Sequence, residues 1–336
     1  MREAAELDTR FTRIGVAGAG AWGTALALAA ARAGATVTVW AREPEVVMAV
    51  NEHRENRPFL PGVKWAPSIQ ATNALSDLGA CQAVLLAAPA QVLRPVAQSL
   101  RAAVPVSAPV LICAKGMERD TGLLMSEVAA QELPGSPIGL LSGPSFAKDV
   151  AAGLPTAVTL ALPDPALGQV LVRSLGSPGF RPYYSDDVLG VSVGGAVKNV
   201  LAIACGIVDG MGLGLSARAA LTARGFAEMT RFGAAIGARP ETLTGLSGLG
   251  DLILTCGSAQ SRNFSLGLAL ARGAVKGSEA DPLAEGAETA GALAARAHAM
   301  GIEMPIAAAV AAILDGGLSA EAAVHMLLSR PFKPED

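Results

Sequence analysis

Charge is sparse in this sequence, and so are lysine, histidine and cysteine. Only 16% of the 336 residues are charged, with a formal net charge of −3 and a sequence pI of about 5.7. Nucleic acid and acidic membranes reward a clearly basic surface, so neither is an expected partner. Any anion site has to be local, built from a few placed residues. The four cysteines, Cys81, Cys113, Cys205 and Cys256, are widely spaced, with no CxxC pair and no nearby Cys/His cluster. That spacing argues against a zinc site or a disulfide framework and for free thiols in a reducing, cytoplasmic setting. The three histidines, His53, His298 and His325, have no partner at metal-ligand spacing. No His–Asp pair presents itself as an acid/base couple, which turns attention to lysine, and no metal is expected. The N-terminus carries Arg2, Glu3, Glu6, Asp8, Arg10 and Arg13 with no early apolar run, so no signal peptide is expected. Repeats, low-complexity tracts and flexible linkers are also missing.

Apolar residues are abundant, at 51% of the chain, which is ample for a large core. At roughly 100–200 residues per domain, the length implies two domains. From Ile14 to Ala31 no charge occurs, a run long enough to raise the question of a bilayer span. Its four glycines, a threonine and a tryptophan fit a strand, a turn and a helix better. Ile14 to Gly18 reads as a buried strand, Gly18 to Gly23 as a glycine turn, and Thr24 to Ala33 as a helix stopped by Gly34. Thr36 to Trp40, β-branched and alternating, closes a βαβ unit of about 30 residues. Glu43 to Asn56 reads as a polar helix, followed by a loop from Arg57 to Gly62. Further strands are expected at Ala83 to Ala88, Val110 to Ala114, Ile138 to Ser142, Thr156 to Ala161 and Phe180 to Tyr184. Short apolar runs alternating with helical stretches indicate a mainly parallel sheet.

After about Val188 strand-like runs stop. Alanine- and leucine-rich stretches follow at 192–208, 216–236, 264–272, 286–299, 305–315 and 319–328. The expected fold class is therefore an α/β N-terminal domain, residues 1–190, followed by an all-α C-terminal domain, residues 191–336. A long shared helix or a close interface between them is a favoured place for a ligand cleft.

Gly18-Ala-Gly20-Ala-Trp-Gly23 is GxGxxG in an informative context, after a strand and opening a helix. Gly18 permits the tight turn, Gly20 lets a pyrophosphate approach the backbone, and Gly23 allows close helix–strand contact. The helix start adds N–H donors and partial positive charge. The bland alternative is a glycine turn without a ligand. At the end of the second strand stand Trp40, Ala41, Arg42 and Glu43. An acidic residue for a ribose 2′-hydroxyl is missing from the strand end itself. Arg42 suits a 2′-phosphate, which leans the reading of the NAD(P)H site towards NADPH, with Glu43 as a counterweight.

Two of the six lysines stand in special settings. Lys115 follows an apolar strand at the sheet's carboxyl edge. Lys198 lies in the apolar stretch Gly194 to Ala204, where burial is costly unless paired and lowers the pKa towards a useful range for proton transfer. Snorkelling at a helix end is the competing reading. Gly245 to Thr255 reads as a glycine-rich loop leading into an apolar stretch that holds one carboxylate, Asp251. Asp251 can orient the lysine or a substrate hydroxyl, serve as an N-cap, or do both. Ser261, Arg262 and Asn263 at a helix start form a candidate phosphate cradle, against the reading of an ordinary cap with a surface arginine.

Taken together, these blocks resemble a known family. GAGAWGTALA (18–27), Lys115-Gly116, SGPSFAKDVAAGLPTAV (142–158), GGAVKNVLAIACGI (194–207), RAALTARGFAEM (218–229), GLSGLGDLILTC (246–256 with its preceding glycine), SRN (261–263) and Glu285-Gly286 occur in the order seen in bacterial NAD(P)-dependent glycerol-3-phosphate dehydrogenases. The likeness covers about residues 14–315. It implies a Rossmann-type first domain, a helical substrate domain and Lys198 as proton donor and acceptor. It implies substrate contacts at Lys115, Gly143, Ser145, Lys198, Asp251, Ser261, Arg262 and Asn263. Implied cofactor contacts are Ala21, Trp22, Arg42, Lys115, Ala147, Arg262, Leu283 and Glu285, beside Gly18, Gly20 and Gly23 from the turn. The chain departs from the family pattern at Ser192 and Asp149, where glutamates are usual, and at Leu215-Ser216, where a polar pair is usual.

The resemblance implies interconversion of dihydroxyacetone phosphate and sn-glycerol 3-phosphate, supplying phospholipid synthesis. The expected partner is a small phosphorylated triose, without nucleic acid or stable membrane insertion, and a homodimer is the candidate assembly. Two other readings stay open: a related two-domain dehydrogenase acting on a hydroxyacid, and a non-catalytic dinucleotide sensor. A phosphate requirement argues against the first, and turnover against the second.

Overall fold

The computed structural model describes residues 10–273 and 284–331. β1 (Arg13–Ala17) is an apolar run buried from its second residue onward. The turn after it feeds α1 (Ala21–Arg32), a run of strong helix formers buried continuously from Gly23 to Ala30. β2 (Thr36–Trp40) alternates as its sequence does, with Val37 and Val39 inward. β3 (Ile69–Thr72), β4 (Ala83–Leu86), β5 (Val110–Ile112), β6 (Ile138–Ser142), β7 (Thr156–Ala161) and β8 (Phe180–Ser185) complete an eight-stranded sheet of order β3-β2-β1-β4-β5-β6-β7-β8. Every neighbouring pair is parallel except β6–β7, which is antiparallel.

Successive strand residues face opposite sides, and both sides are covered. Ile14, Val16, Leu85, Leu111 and Leu141 join one cluster with α1. Α second cluster takes Ala17, Val84, Leu86, Ile112 and Leu140, with α3 (Leu93–Ala103) and α4 (Met125–Glu132). The remaining helices of this part are α2 (Pro44–His53), α5 (Ala147–Ala152) and α6 (Pro165–Leu175). The strand order reverses around β1, between β2 and β4, and such a switch point opens a crevice at the strands' carboxyl ends.

From Val188 the described chain is helical. α7 (Val188–Gly210) starts at Asp187, whose carboxylate accepts from Gly190 N at 2.8 Å, and is buried from Gly190 to Val208. It is the only helix among the described residues long and apolar enough to cross a membrane, and it lies wholly inside the protein. Around it pack α8 (Leu215–Ala235), α9 (Pro240–Thr244), α10 (Asp251–Cys256), α11 (Arg262–Ala271), α12 (Glu285–Ala299) and α13 (Pro305–Leu314), with α14 (Ala320–Leu328) outside α13. α7 also touches β6, β7 and α4, so one helix joins the sheet to the helical part. Its crossing with α11 is close: a Cβ on Gly206 would lie 2.1 Å from Phe264 O, and one on Gly267 would lie 2.1 Å from Ile203 O.

The expected helical stretches after residue 190 are all present, with ends within four residues of those read from the sequence. Two expectations need correction. β3 was not foreseen, because Ile69–Thr72 is a four-residue edge strand with one alternation. The glycine-rich segment before Asp251 is not a loop: Leu246–Gly250 forms a π-helical turn that runs into α10.

Candidate active site

The carboxyl edge of the sheet gathers the residues expected at a dinucleotide site. Gly18 has φ +118°, a backbone shape that only glycine adopts without strain, and its N–H donates to Trp40 O at 3.0 Å. A Cβ there would lie 2.9 Å from the Ala87 backbone, and one on Gly23 would lie 1.9 Å from Gly18 O. Strand, turn and helix therefore touch only because side chains are missing. At Gly20, the residue preceding α1, a Cβ would meet nothing within 4 Å. That open volume, beside the unbonded N–H groups of the first helical turn, fits a pyrophosphate. Ala21 and Trp22 are the first two residues of α1, and Ala147 is the first of α5 beyond β6. Arg42, just past β2, is exposed and gives two hydrogen bonds to Glu43 Oε1, at 3.0 and 2.8 Å. Leu283 lies outside the described residues.

At this edge a buried centre is made by both parts of the chain. Lys115, just after β5, donates from Nζ to Asp251 Oδ2 at 2.6 Å and to Gly143 O at 3.2 Å. Lys198, mid-α7, donates from Nζ to Asp251 Oδ1 at 3.2 Å and to Thr255 Oγ1 at 2.9 Å. One carboxylate thus receives two ammonium groups, one on each oxygen. A Cβ on Gly195 would lie 3.3 Å from Lys115 Cγ, so the glycine leaves α7 room for that side chain. Ser145 Oγ donates to the same Gly143 carbonyl at 2.9 Å.

Electrostatics follow from this geometry. Burial lowers the Lys198 ammonium to about 8, with the Asp251 charge opposing the fall and Lys115 adding to it. Burial resists ionisation of Asp251, but the charges of Lys115 and Lys198 outweigh it and hold the carboxyl below its ordinary value. Lys198 can therefore exchange a proton near neutral pH, and Asp251 stays a carboxylate.

Behind the centre runs an amide chain. Asn199 Nδ2 donates to Lys115 O at 3.3 Å, Asn263 Nδ2 donates to Asn199 Oδ1 at 3.0 Å, and Gly286 N donates to Asn263 Oδ1 at 2.9 Å. Asn263 is therefore buried in a protein network that fixes the starts of α11 and α12. Ser261 caps α11 by accepting from Phe264 N at 3.2 Å. Arg262, the first residue of α11, is exposed. Glu285, the first residue of α12, accepts from Ala90 N at 3.4 Å. Burial pushes the Glu285 carboxyl up, and Arg262, Lys198 and Lys115 are all near enough to pull it back.

Two readings from the sequence resolve here. Lys198 is a buried, paired residue rather than a snorkelling one. Asp251 is not a cap: it is the first residue of α10, Gly250 holds the cap position, and the carboxylate goes to the lysines. Ser192, the departure that removed a candidate carboxylate, receives a hydrogen bond from Ser126 of α4 at 3.1 Å; the carboxylate beside Lys198 comes from α10. Thr255 was not picked out from the sequence. Its spacing of four from Asp251 would have placed it on the same helical face, had the segment been read as helix. Among the described residues no group of three or more His, Cys, Asp or Glu side chains could hold a metal ion.

A mainly parallel sheet with a glycine turn at its switch point, joined to a helical part by a buried Lys–Asp–Lys centre to which both contribute, is the plan of a dinucleotide-dependent oxidoreductase. Comparison with known proteins narrows the class. Residues 13–167 match the family model for the NAD-dependent glycerol-3-phosphate dehydrogenase N-terminus, and residues 187–325 match that for its C-terminus. The glycerol-3-phosphate dehydrogenase [NAD(P)+] of Caulobacter vibrioides is 54% identical over 97% of this chain and 99% of its own length. That of Rhodospirillum rubrum is 56% identical over 96% of this chain and 93% of its own length. The crystal structure of glycerol-3-phosphate dehydrogenase from Coxiella burnetii superposes with a TM-score of 0.90 at 40% identity, covering 95% of this chain and 99% of that one. The chain belongs to the NAD-dependent glycerol-3-phosphate dehydrogenase family.

Proposed function

We propose that this protein interconverts dihydroxyacetone phosphate and sn-glycerol 3-phosphate, using a nicotinamide dinucleotide held over the carboxyl edge of the sheet. The observation that carries the reading is Lys198, buried beside Asp251 and Thr255 with an ammonium lowered to about 8. The bound dinucleotide supplies or accepts the hydride at C2. Lys198 then holds the proton for the C2 oxygen: as ammonium it stabilises the growing negative charge and delivers the proton, and in the reverse direction it takes the proton back. Asp251 keeps Lys115 and Lys198 apart at a fixed distance, each on its own oxygen. Lys115 and Ser145 meet at the Gly143 carbonyl and orient the triose hydroxyls.

Arg262, Ser261 and the start of α11 take the phosphate in this reading, and Asn263 holds them in place from behind. Gly18, Gly20, Ala21, Trp22 and Gly23 take the pyrophosphate side of the cofactor, and Ala147, Glu285 and Leu283 its remaining contacts. In this reading residues 1–190 hold most of the cofactor, with Glu285 and Leu283 reaching it from the second part, and residues 191–336 hold the phosphate and the acid/base lysine, with Lys115, Gly143 and Ser145 reaching the substrate from the first.

Arg42 favours NADPH, because no carboxylate ends β2 and its guanidinium is free to leave Glu43 for a 2′-phosphate. The Arg42–Glu43 pair is exposed and of adjacent residues, so its rupture costs little. Arg42→Ala is expected to weaken NADPH binding by about tenfold or more, the loss of one bidentate charged contact, while leaving NADH binding nearly unchanged. Equal losses for the two dinucleotides would overturn the preference.

The direct test is consumption of NADH and of NADPH, in parallel, with dihydroxyacetone phosphate and with unphosphorylated dihydroxyacetone. Rapid oxidation that requires the phosphate is the expected result. A folded protein that binds dinucleotide and oxidises neither would overturn the assignment, and a preference for hydroxyacids would move it to a related dehydrogenase.

A further inference from the structure

Asn56 plays no part in the chemistry above, yet it is wholly buried against the glycine turn, at 0% exposure. Its Nδ2 donates to Ala19 O at 2.7 Å and to Thr24 Oγ1 at 2.8 Å. Ala19 stands between Gly18 and Gly20 in the turn, and Thr24, equally buried, lies in α1. Both amide hydrogens are therefore used, one on the turn and one on the helix that follows it. Asn56 is itself held from behind. Arg54 ends α2 in a left-handed conformation, at φ +53°, and turns the chain. Leu60 N then donates to Asn56 O at 2.8 Å, and the Leu60 side chain is buried in the same cluster as α1. Asn56 Oδ1 is buried and has no hydrogen-bond partner among the described residues. An unmet buried acceptor costs the fold stability. A leucine would fill nearly the same volume without that oxygen, so what the amide adds is its pair of Nδ2 bonds.

We propose that Asn56 is a positioning residue for the dinucleotide: it fixes the Ala19–Gly20 peptide so that the backbone N–H groups at the start of α1 meet the pyrophosphate without rearrangement. A trans peptide sets its N–H opposite its C=O. With the Ala19 carbonyl held on the buried amide, the Gly20 N–H points away from Asn56. Gly20 has open volume where a side chain would stand, and the N–H groups of the first helical turn begin there.

The peptide needs such a tie. Glycine at position 20 leaves the backbone there among the least restricted in the chain, free to rotate unless something holds it. Thr24 Oγ1 reaches the Ala19 carbonyl only at 3.5 Å, so the 2.7 Å bond from Asn56 is the firmer hold. Donors ordered before a ligand arrives spare it the entropy of ordering them. Asn56 is fully enclosed, so its effect passes through the turn and not by contact with the ligand. The inference rests on the cofactor part of the function proposed above.

The test uses the full chain and its Kd for NADH, NADPH and ADP-ribose, the last of which keeps the pyrophosphate and lacks the nicotinamide. Asn56→Leu keeps the volume and removes both donors. All three Kd values are expected to rise together by about tenfold, the scale of one charge-assisted contact loosened. Turnover of dihydroxyacetone phosphate at saturating dinucleotide, and its KM, are expected to stay within about threefold. The thermal midpoint without ligand is expected to stay within about 5 °C. Thr24→Val removes one acceptor of the same amide and disturbs the fold less. A rise of about threefold in all three Kd values is expected there, so a misfolded Asn56→Leu leaves the test intact. Kd values within about twofold of the unmodified protein in both variants, a loss confined to one of the two dinucleotides, or an unchanged Kd for ADP-ribose would each overturn the proposal. So would a thermal midpoint lowered by more than about 10 °C in both variants, which would make the weaker binding a symptom of a loosened fold. Unmodified protein that binds none of the three ligands contradicts the cofactor reading itself. Binding without turnover contradicts the proposed reaction, and the Kd values still decide the role of Asn56.

Discussion

At the scale of single residues, the account turns on where the Lys198 proton sits. Reduction of the ketone needs the ammonium form, and oxidation of the alcohol needs the free amine. With the ammonium lowered to about 8, the reduction rate is expected to fall as pH rises through about 8, and the oxidation rate to rise over the same range. Asp251 opposes that lowering, so Asp251→Asn takes away the charge that favours the ammonium. The reduction limb in that variant is expected to move to lower pH, alongside a fall in turnover; an unmoved limb would separate Asp251 from the Lys198 proton. Both lysines were legible in the sequence because each stands alone in an apolar setting where a charge is costly. Their common partner was legible only as a nearby carboxylate. Which oxygen meets which lysine depends on how α7, α10 and the end of β5 come together, and no local pattern encodes that. Thr255 was hidden for a related reason: a hydroxyl in the run Leu-Ile-Leu-Thr-Cys carries no signal until the run is known to be helical.

At the scale of elements, glycine punctuation was a good guide at β1 and a misleading one before α10. Gly18, Gly20 and Gly23 mark a turn because they follow an apolar strand and lead into an alanine-rich helix. Gly245, Gly248 and Gly250 looked like a loop, yet the π-helical turn needs the middle one for packing: a Cβ on Gly248 would lie 2.0 Å from Leu243 O. A buried carboxylate sets another element. Glu228 of α8 accepts from Ile306 N at 2.7 Å and Ala307 N at 3.2 Å, satisfying the start of α13 where no side chain of its own caps it. Burial raises its carboxyl to about 7, against the pull of those two N–H groups. The group holds its proton more tightly folded than unfolded, so its stabilising contribution is complete below about pH 4.5 and is lost as pH rises through about 7. The thermal midpoint is expected to drop between about pH 5 and about pH 8, and Glu228→Gln is expected to remove most of that slope. An unchanged slope in the variant would assign it to other groups. Glu228→Ala, which leaves the helix start unsatisfied, is expected to cost about 1–3 kcal/mol at acidic pH and less as pH rises, measured by denaturant unfolding.

At the scale of the whole molecule, the sheet and the helical part are tied at several points around the site. Thr289 of α12 accepts from Met117 N at 3.3 Å, Glu285 accepts from Ala90 N at 3.4 Å, and Arg296 pairs with Glu127 of α4 at 2.7 Å and reaches Gly122 O at 3.0 Å. α7 adds a continuous buried seam between the two. Calorimetry is therefore expected to record one unfolding transition, and saturating NADPH, at about a hundred times its Kd, to stabilise it by about 2.7 kcal/mol. Two transitions, with only the first moved by the dinucleotide, would show that the parts unfold separately. The order of the two parts was legible from the change of character near Val188; the way they clasp was not, since each clasp is a contact between residues far apart in the chain. The most direct test of the central claim is turnover of dihydroxyacetone phosphate by Lys198→Ala, measured beside the Kd of the same variant for NADPH. Loss of at least about a hundredfold in turnover, with Kd within about threefold of the unmodified protein, is the predicted result for removal of an acid/base group. Turnover near the original rate would contradict the account and remove Lys198 from the proton-transfer role.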